Sequence, residues 1–359
     1  MRGRFGDQGA MFSYICPEAR VPPKHPLRQV RELVRAVLKE LSACFGRLYA
    51  SEGRPSVPPE QLLSALLLQV FYGIRSERQL IEQLDYNLLF RWFVGLGPDD
   101  PVWDATSFTK NRERLQSGDV FQKFMTRLLH HPQVAPLLSD EHFSVDGTLI
   151  EAWASQKSFR PRDGSGGDGA DFHRQSRKND THASTTDPDS RLYRKASGRE
   201  AKLSYMGHVI MENRHGLAVG GMVTAANGTA ERSASAAMLH RAREQARRRI
   251  TVGEDKAYDC AEHVAKLRAM QVTPHVAQND SETKTGKHRH SAIDGRTTRH
   301  PGYGMSQSRR AMIECIFGWG KQHGTMRKAK HRGLARVAGD FLLNLIGYNL
   351  IRLPKLIAT

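Results

Sequence analysis

The order of predicted elements after His142 most constrains the fold of this chain. "HFSVDGTLIEA" alternates between two faces and predicts a strand, and "LSYMGHVIMEN" and "LAVGGMVTAAN" around "RHG" predict a hairpin. A helix ("AERSASAAMLHRAREQARRR"), a strand ("ITVGEDKAYD"), a second helix, a strand ("VTPHVAQN") and a third helix follow. Three strands in a meander, followed by alternating helices and strands, predict an α/β fold with one mixed sheet flanked by helices.

Two features of this region add detail to the pattern. Residues 155–201 are rich in Gly, Ser, Asp and basic residues with almost no apolar periodicity, which predicts a long flexible loop. The spacing of Asp259 and Glu262 predicts a capping box at the start of the second helix.

The chain before the sheet is predicted to be all helical. From Pro26 to about Leu115 the apolar spacing is that of helices, and Ser76 and Gln79 have capping-box spacing. Short helices that end in "WDATSFTKNRERLQSG", which carries Lys110 and Arg112, fit either a helix-turn-helix-like DNA reader or a packed bundle. We therefore expect a helical N-terminal domain at 1–125, for DNA-end recognition or dimerisation, and a second domain at 140–359.

The composition indicates which class of partner the chain binds. The 359 residues include 54 Lys and Arg against 37 Asp and Glu, a formal charge of +17, which attracts a polyanion such as nucleic acid. Four cysteines without C-x-x-C pairing fit a reducing compartment. The apolar segment from Phe341 is interrupted by Asn, Arg and Pro, so we expect a buried helix and no membrane span. The expectation is a soluble cytoplasmic protein.

The stretch "RRAMIECIFGWGKQHGTMRKAKHRG" places one acid, Glu314, among many basic residues. Arg310, Glu314, Phe317 and Lys321 are spaced to lie on one side of a single helix, where Glu314 could simply form local ion pairs. Between residues 287 and 332 there are eleven Lys or Arg and two acids, so positive charge is concentrated here.

Three acids fall where a mixed sheet can bring them together. Asp146 lies in the first strand, Asp255 at the end of the fourth, and Glu314 on the last helix before the apolar C-terminal segment. Carboxylates so placed can hold Mg²⁺ for phosphoryl transfer on DNA. Each acid also has an ordinary interpretation, as a turn cap, a helix-dipole partner or a surface ion pair, and spacing alone leaves Glu254 and Glu151 open as ligands.

At these residues the chain resembles the DDE transposases of bacterial insertion sequences, specifically the insertion-sequence-five type. The resemblance runs from about Val57 to the C-terminus and includes "FSVDGTLIEAWAS", "GREAKLSYMGHV", "GEDKAYD" and "IECIFGWGK". It implies an RNase H-like catalytic domain in which Asp146, Asp255 and Glu314 bind Mg²⁺, with Mn²⁺ as an alternative. The family's third motif is Tyr, two residues, Arg, three residues, Glu, six residues, Lys. This sequence has Gln307 at the Tyr position, which puts an accessory DNA contact in doubt.

The resemblance also implies a partner and a reaction. An activated water would cut double-stranded DNA at the ends of a bacterial element, and the freed 3′-hydroxyl would attack target DNA, with a homodimer or larger assembly on the DNA. The predicted DNA contacts are Arg310, Lys321, Arg327, Lys328, Lys330, Arg332, Lys110 and Arg112. An RNase H-like nuclease without strand transfer and a non-catalytic DNA-binding repressor are the alternatives.

Three further motifs are weaker. "HRH" at 288–290 could bind a transition metal, but it has no cysteine nearby, and phosphate contact or a solvated loop fits better. The glycines of "DGSGGDGAD" lack the flanking strand and helix of a phosphate-binding loop. Trp319 and Phe317 have the spacing of core aromatics, although they could also stack on a base.

Overall fold

A computed structural model describes residues 14–50, 52–53, 56–163, 177–194, 198, 200–282 and 288–358 of the chain. The helices are α1 Pro17–Arg20, α2 Leu27–Leu48, α3 Pro59–Phe71, α4 Glu77–Tyr86, α5 Leu88–Val94, α6 Ala105–Ser117, α7 Val120–His130, α8 Ala230–Gln245, α9 Ala261–Ala269, α10 Gly295–Thr298, α11 Pro301–Arg310, α12 Ile313–Gln322 and α13 Leu334–Ile357. The strands are β1 His142–Glu151, β2 Phe159–Pro161, β3 His182–Ser184, β4 Arg191–Tyr193, β5 Lys202–Glu212, β6 Ala218–Ala225, β7 Ile250–Glu254 and β8 Val272–Val276.

The main sheet has β1 at its centre. On one side β1 pairs antiparallel with β5, whose far edge pairs with β6 and β4. On the other side β1 runs parallel to β7, and β7 runs parallel to β8. A meander followed by two parallel strands joined through helices confirms the α/β fold with one mixed sheet that the sequence predicts.

The β5–β6 hairpin is held by a buried carboxylate. Glu212 is fully buried and accepts hydrogen bonds from the backbone N–H groups of Arg214 at 2.7 Å, His215 at 2.9 Å and Leu217 at 2.9 Å. Gly216 takes a φ of 72°, a left-handed conformation that glycine adopts without steric cost. The predicted tight turn is thus confirmed.

One hydrophobic core joins the helical region to the sheet. It includes side chains of α2, α3, α6 and α7 together with those of β1, β5, α12 and α13. Polar contacts cross the same boundary: Lys330 Nζ lies 3.0 Å from Gln69 Oε1 of α3, and Arg336 Nη2 lies 2.8 Å from Glu113 Oε1 of α6. The regions expected at 1–125 and 140–359 therefore share their packing through α13.

Helix α13 is the buried C-terminal helix that the sequence predicts. Phe341, Leu345 and Ile346 are almost completely buried, and Phe341 packs against the sheet close to Gly207. Among the described residues, no helix combines the length and apolar character needed to cross a membrane.

Two local predictions were wrong. The loop at 155–201 contains β2 and β3, which pair with each other, and β4, which pairs with β5, while residues 164–176, with most of the glycine-rich stretch, and 195–197 and 199 lie outside the described residues. Asp259 does not cap α9, because its carboxylate instead accepts the N–H groups of Asn279 and Ala292 at 2.8 and 2.9 Å. At Ser76, by contrast, the hydroxyl accepts the Gln79 N–H at 3.4 Å as expected.

The single helix predicted to carry Arg310 and Glu314 is two helices. Helix α11 ends at Arg310, and α12 begins at Ile313. At the break, backbone hydrogen bonds join residues three apart, from Met312 N to Arg309 O at 3.0 Å and from Cys315 N to Met312 O at 3.0 Å. Arg310 therefore closes one helix, and Glu314 lies in the first turn of the next.

Candidate active site

Asp146 and Asp255 lie just beyond the point where β1 and β7 stop pairing. The parallel pairing ends with Ser144 opposite Gly253, so each aspartate follows the last pair by two residues, and the charge of Asp255 acts on Asp146. Neighbouring strands lie about 4.8 Å apart, and residues at equivalent positions point to the same face. Strand β7 ends at Glu254, so Asp255 leaves the sheet at its carboxyl edge.

Both aspartates also have the ordinary roles that the sequence allows. Asp146 Oδ1 accepts the N–H of Gly147 at 2.7 Å, and Asp255 Oδ1 accepts the N–H of Ala257 at 2.7 Å at the start of a 3-10 turn. Each contact uses one carboxylate oxygen. These capping roles are therefore compatible with a second role for the other oxygen.

Asp146 lies in an unusual electrostatic environment. Its side chain is only 13% exposed, and Arg310 Nη1 lies 4.0 Å from its Oδ2. Burial, together with the negative charges of Asp255 and Glu314, raises the pKa of Asp146 from 3.8 to about 7, although the Gly147 N–H and Arg310 act in the opposite direction. Asp255 and Glu314 are therefore both close enough to Asp146 for their charges to act on it.

The donor chemistry of these three acids fits a hard divalent cation, since carboxylate oxygens are the ligands that Mg²⁺ prefers. Glu314 is exposed in the first turn of α12. Across the part of the chain that the structure describes, no three His, Cys, Asp or Glu side chains are grouped closely enough to hold a metal ion. Glu314 therefore influences Asp146 through its charge without completing a three-ligand group.

The two alternative acids are occupied elsewhere. Glu254 is fully buried on the side of the sheet that packs on α8 and α9, where Ser235 donates to its Oε1 and His263 Nε2 lies 2.9 Å from its Oε2. Glu151 forms surface ion pairs with Lys202 and Lys328, each at 3.4 Å. These contacts favour Asp146 and Asp255 over Glu254 and Glu151 as ligands.

Of the predicted basic contacts, Arg310 lies beside Asp146, and Lys321 contacts a nearby residue of the same strand. Arg310 approaches Asp146 from the end of α11, as described above. Lys321 Nζ lies 2.5 Å from Oγ1 of Thr148, which is two residues along β1 and therefore on the same face as Asp146. A cationic rim thus borders the acidic site.

Two other predicted contacts with DNA were wrong. The Lys330 side chain is 4% exposed and pairs with Asp340 at 3.0 Å, and the Arg112 side chain is 7% exposed and pairs with Glu77 at 2.6 Å. Both cations are held inside the fold, so neither is presented to a DNA surface. Four further predicted contacts remain predictions, because they are exposed or half-exposed: Lys110, Arg327, Lys328 and Arg332.

Tyr258 is a residue at this site that the sequence reasoning missed. It is 1% exposed, and within the described part of the chain its hydroxyl has no hydrogen-bond partner. Burial, together with the charges of Asp146, Glu254, Glu231 and Asp255, raises the pKa of the phenol well above its usual value. The available signal was an aromatic residue three positions after Asp255, within one turn of it.

The weaker motifs have simpler explanations. Phe317 is 4% exposed, and the ring of Trp319 packs edge-on against Tyr348 with ring centroids 6.0 Å apart, so both are core aromatics as expected. Residues 288–290 of "HRH" are exposed, and residues 283–287 before them lie outside the described residues.

Two known families match the chain along its length. The model of a "Transposase DDE domain" matches residues 138–350, more than half of the chain, and that of a "Transposase domain (DUF772)" matches residues 15–114. No protein with a curated function matches the sequence.

Two solved structures show a distant likeness. A cryo-EM structure of a piggyBac transposase synaptic complex with hairpin DNA is 13% identical, with 91% of this chain and 74% of that chain covered and a TM-score of 0.39. A Mos1 transposase paired-end complex with the left transposon end is also 13% identical, with 94% of this chain and 93% of that chain covered and a TM-score of 0.21. Likeness at this level does not bear on the function of the chain.

Proposed function

This chain belongs to the family of transposases that carry a DDE domain, and from that premise we propose that it binds the terminal inverted repeats of an insertion sequence, cleaves the DNA there by metal-dependent hydrolysis and joins the 3′ ends to target DNA. The proposal is supported by the closeness of Asp255 and Glu314 to Asp146, on which both act through their charge, and by Arg310 at 4.0 Å from the Asp146 carboxylate.

In this proposal Asp146, Asp255 and Glu314 hold Mg²⁺, for which Mn²⁺ is a substitute. When bound, such a cation activates water as a nucleophile and stabilises the charge that develops on the phosphoryl oxygens. The Asp146 carboxyl, whose pKa is raised to about 7, must give up its proton to serve as a ligand. Glu314 completes the set by turning its exposed side chain toward the two aspartates.

The chain's cations orient the DNA in this scheme. Arg310 and Lys321, which border the acidic site, contact phosphates on either side of the bond to be cut. The backbone N–H of Ala329 donates to the Glu151 carbonyl at 2.7 Å, so the segment that carries Arg327 and Lys328 runs parallel to the end of β1 and beside it. We place the track of the DNA duplex along this edge, with Arg332 beyond it.

End recognition is assigned to the helical region, acting in an assembly of two or more chains on the DNA. Lys110 is exposed on α6, where the polar face remains free of the shared core. Base contacts, which carry sequence information, require such an exposed helix, whereas phosphate contacts do not distinguish sequences.

The test uses the full-length chain with a labelled miniature element and Mg²⁺. Asp146→Asn, Asp255→Asn and Glu314→Gln should each reduce cleavage by more than about 100-fold, since loss of an outer hydrogen bond alone costs a metal site about 10- to 100-fold. Glu244→Gln is the control, because it neutralises an exposed acid whose ion pair is with His240 at 3.5 Å and not with a proposed DNA contact, and it should cleave normally.

The products separate the alternatives. Cut ends that are also joined to a second DNA support the transposase. Cut ends without joining would indicate an RNase H-like nuclease, and specific binding without cutting would indicate a repressor. Unchanged cleavage by Glu314→Gln would return Glu314 to the role of a surface ion-pairing residue.

A further inference from the structure

One face of α11 lies on the carboxyl ends of β7 and β8. The residues on this face are spaced by three and four, as one side of a helix requires: Tyr303, Ser306, Gln307 and Arg310. Tyr303 Oη donates to the Val276 carbonyl at 3.1 Å, and Ser306 Oγ lies 2.7 Å from His275 Nδ1. Tyr303 and Ser306 therefore attach α11 to the sheet within two turns of Arg310, the residue that approaches Asp146.

Gln307 makes the central contact of this face. Its side-chain amide nitrogen lies 2.5 Å from the carbonyl oxygen of His275 in β8 and 3.3 Å from that of Glu254 in β7. A carboxamide has two N–H donors on one nitrogen, so a single side chain can satisfy both carbonyls. The Glu254 carbonyl also accepts the N–H of Ala277 at 3.0 Å.

The Glu254 carbonyl is the important partner, because it belongs to the peptide unit that continues into Asp255. A peptide unit is planar, so fixing its carbonyl fixes the direction in which the backbone of Asp255 leaves β7. One turn after Gln307, the same helix brings Arg310 to within 4.0 Å of Asp146. Gln307 thus binds the backbone that leads into Asp255, and it lies on the same helix as Arg310.

We propose that Gln307 is a positioning residue for the DNA-cutting reaction, fixing the peptide that presents Asp255 and the helix that presents Arg310. The inference rests on the proposed function. A tyrosine hydroxyl in the same place would have one donor and could bind only one of the two carbonyls, whereas glutamine binds both. In this chain the half-buried side chain serves the framework of the site and not a DNA contact.

The main variant is Gln307→Leu in the full-length chain, which removes both donors and keeps a side chain of similar size. Gln278→Leu is the matched control, because Gln278 also donates a side-chain amide to a backbone carbonyl, that of Ile293 at 2.8 Å, which belongs to neither β7 nor β8. The cleavage rate at saturating miniature-element DNA and the affinity for that DNA are measured separately. We expect Gln307→Leu to lower the rate about 10- to 100-fold, as loss of an orienting hydrogen bond does, and to change affinity less than about twofold. Gln278→Leu should change neither.

A double-mutant cycle distinguishes positioning from general destabilisation. If Gln307 acts through Arg310, then Arg310→Ala should cost less cleavage in the Gln307→Leu background than in the wild-type chain. Gln307→Tyr, with one donor, should show an intermediate rate, and it provides the same test if the leucine variant does not fold.

The outcomes separate this inference from the function on which it rests. Absence of cleavage by the wild-type chain overturns both. Normal cleavage by the wild-type chain and by Gln307→Leu overturns only the positioning role, as does a loss confined to DNA affinity. Strictly additive losses in the cycle overturn the action of Gln307 through Arg310.

Discussion

Replacing Asp146 with asparagine should remove cleavage and yet stabilise the fold at neutral pH. The carboxylate is buried beside two other acids, and its pKa is raised from 3.8 to about 7 by burial and by the charges of Asp255 and Glu314. Asparagine is nearly isosteric, and its carbonyl oxygen can still accept the Gly147 N–H that Asp146 binds at 2.7 Å. The substitution therefore removes the buried charge and keeps the capping contact.

The sign and size follow from linkage between protonation and folding. Because the pKa is higher in the folded than in the unfolded chain, folded Asp146 keeps its proton to higher pH, and the free energy of unfolding falls as pH rises from about 4 to about 7. The full cost above the folded pKa is about 4 kcal/mol. Between about pH 5 and about pH 8 the stability advantage of Asp146→Asn should grow by about 2 to 3 kcal/mol.

Urea unfolding of both proteins, with a chelator present, measures this difference. Glu151→Gln is the control, since its carboxylate lies at the surface between two lysines, and the pH dependence of that variant should follow the wild type. Added Mg²⁺ should raise the stability of the wild type and leave Asp146→Asn nearly unchanged. A difference between wild type and Asp146→Asn that stays constant from pH 5 to pH 8 would refute the electrostatic argument.

Three further predictions concern charge and burial elsewhere. Alanine at Arg327, Lys328 and Arg332 should make the affinity for DNA less dependent on salt. The slope of log affinity against log salt concentration should become shallower by about 0.9 for each phosphate contact that is lost. An unchanged slope would place the DNA elsewhere. Lys330→Met should leave that slope unchanged in binding titrations but lower the free energy of unfolding by about 3 to 5 kcal/mol, because it leaves a buried carboxylate unpaired. Tyr258→Phe should leave the urea midpoint unchanged or raise the free energy of unfolding by about 1 kcal/mol, since the phenol hydroxyl is buried without a partner among the described residues, and a clear loss of stability would contradict this.

The sheet and its two aspartates could be predicted because their signals are local. The alternation in β1, the hairpin signal before β6 and the short apolar run of β7 each lie within about ten residues. Once the strand order is known, topology alone makes β1 and β7 neighbours. The exact register, in which Ser144 lies opposite Gly253, then follows from packing that the sequence pattern does not show.

The state of individual charged residues could not be predicted, because their partners are distant in sequence. Arg112 is buried by Glu77, and Lys330 by Asp340 and by Gln69, which lies 261 positions away. A count of basic residues treats such cations as equal to exposed ones. Similarly, helical periodicity continues through Ala311 although the helix does not, since the break is made by local backbone hydrogen bonds.

The shared core also determines how end recognition has to be studied. Helix α3 packs on α13 so closely that a Cβ at Gly347 would lie 2.8 Å from Val70 Cγ1, and Gly339 on the same helix faces Gln116 of α6. A fragment that stops before the sheet would expose this apolar surface to water, at a cost of roughly 25 cal/mol for each Å² uncovered. Failure of such a fragment to bind DNA would then result from unfolding and not from a loss of recognition. Substitution of exposed residues such as Lys110 in the complete chain keeps the core intact, so it is the change that isolates the contribution of the helices to DNA recognition.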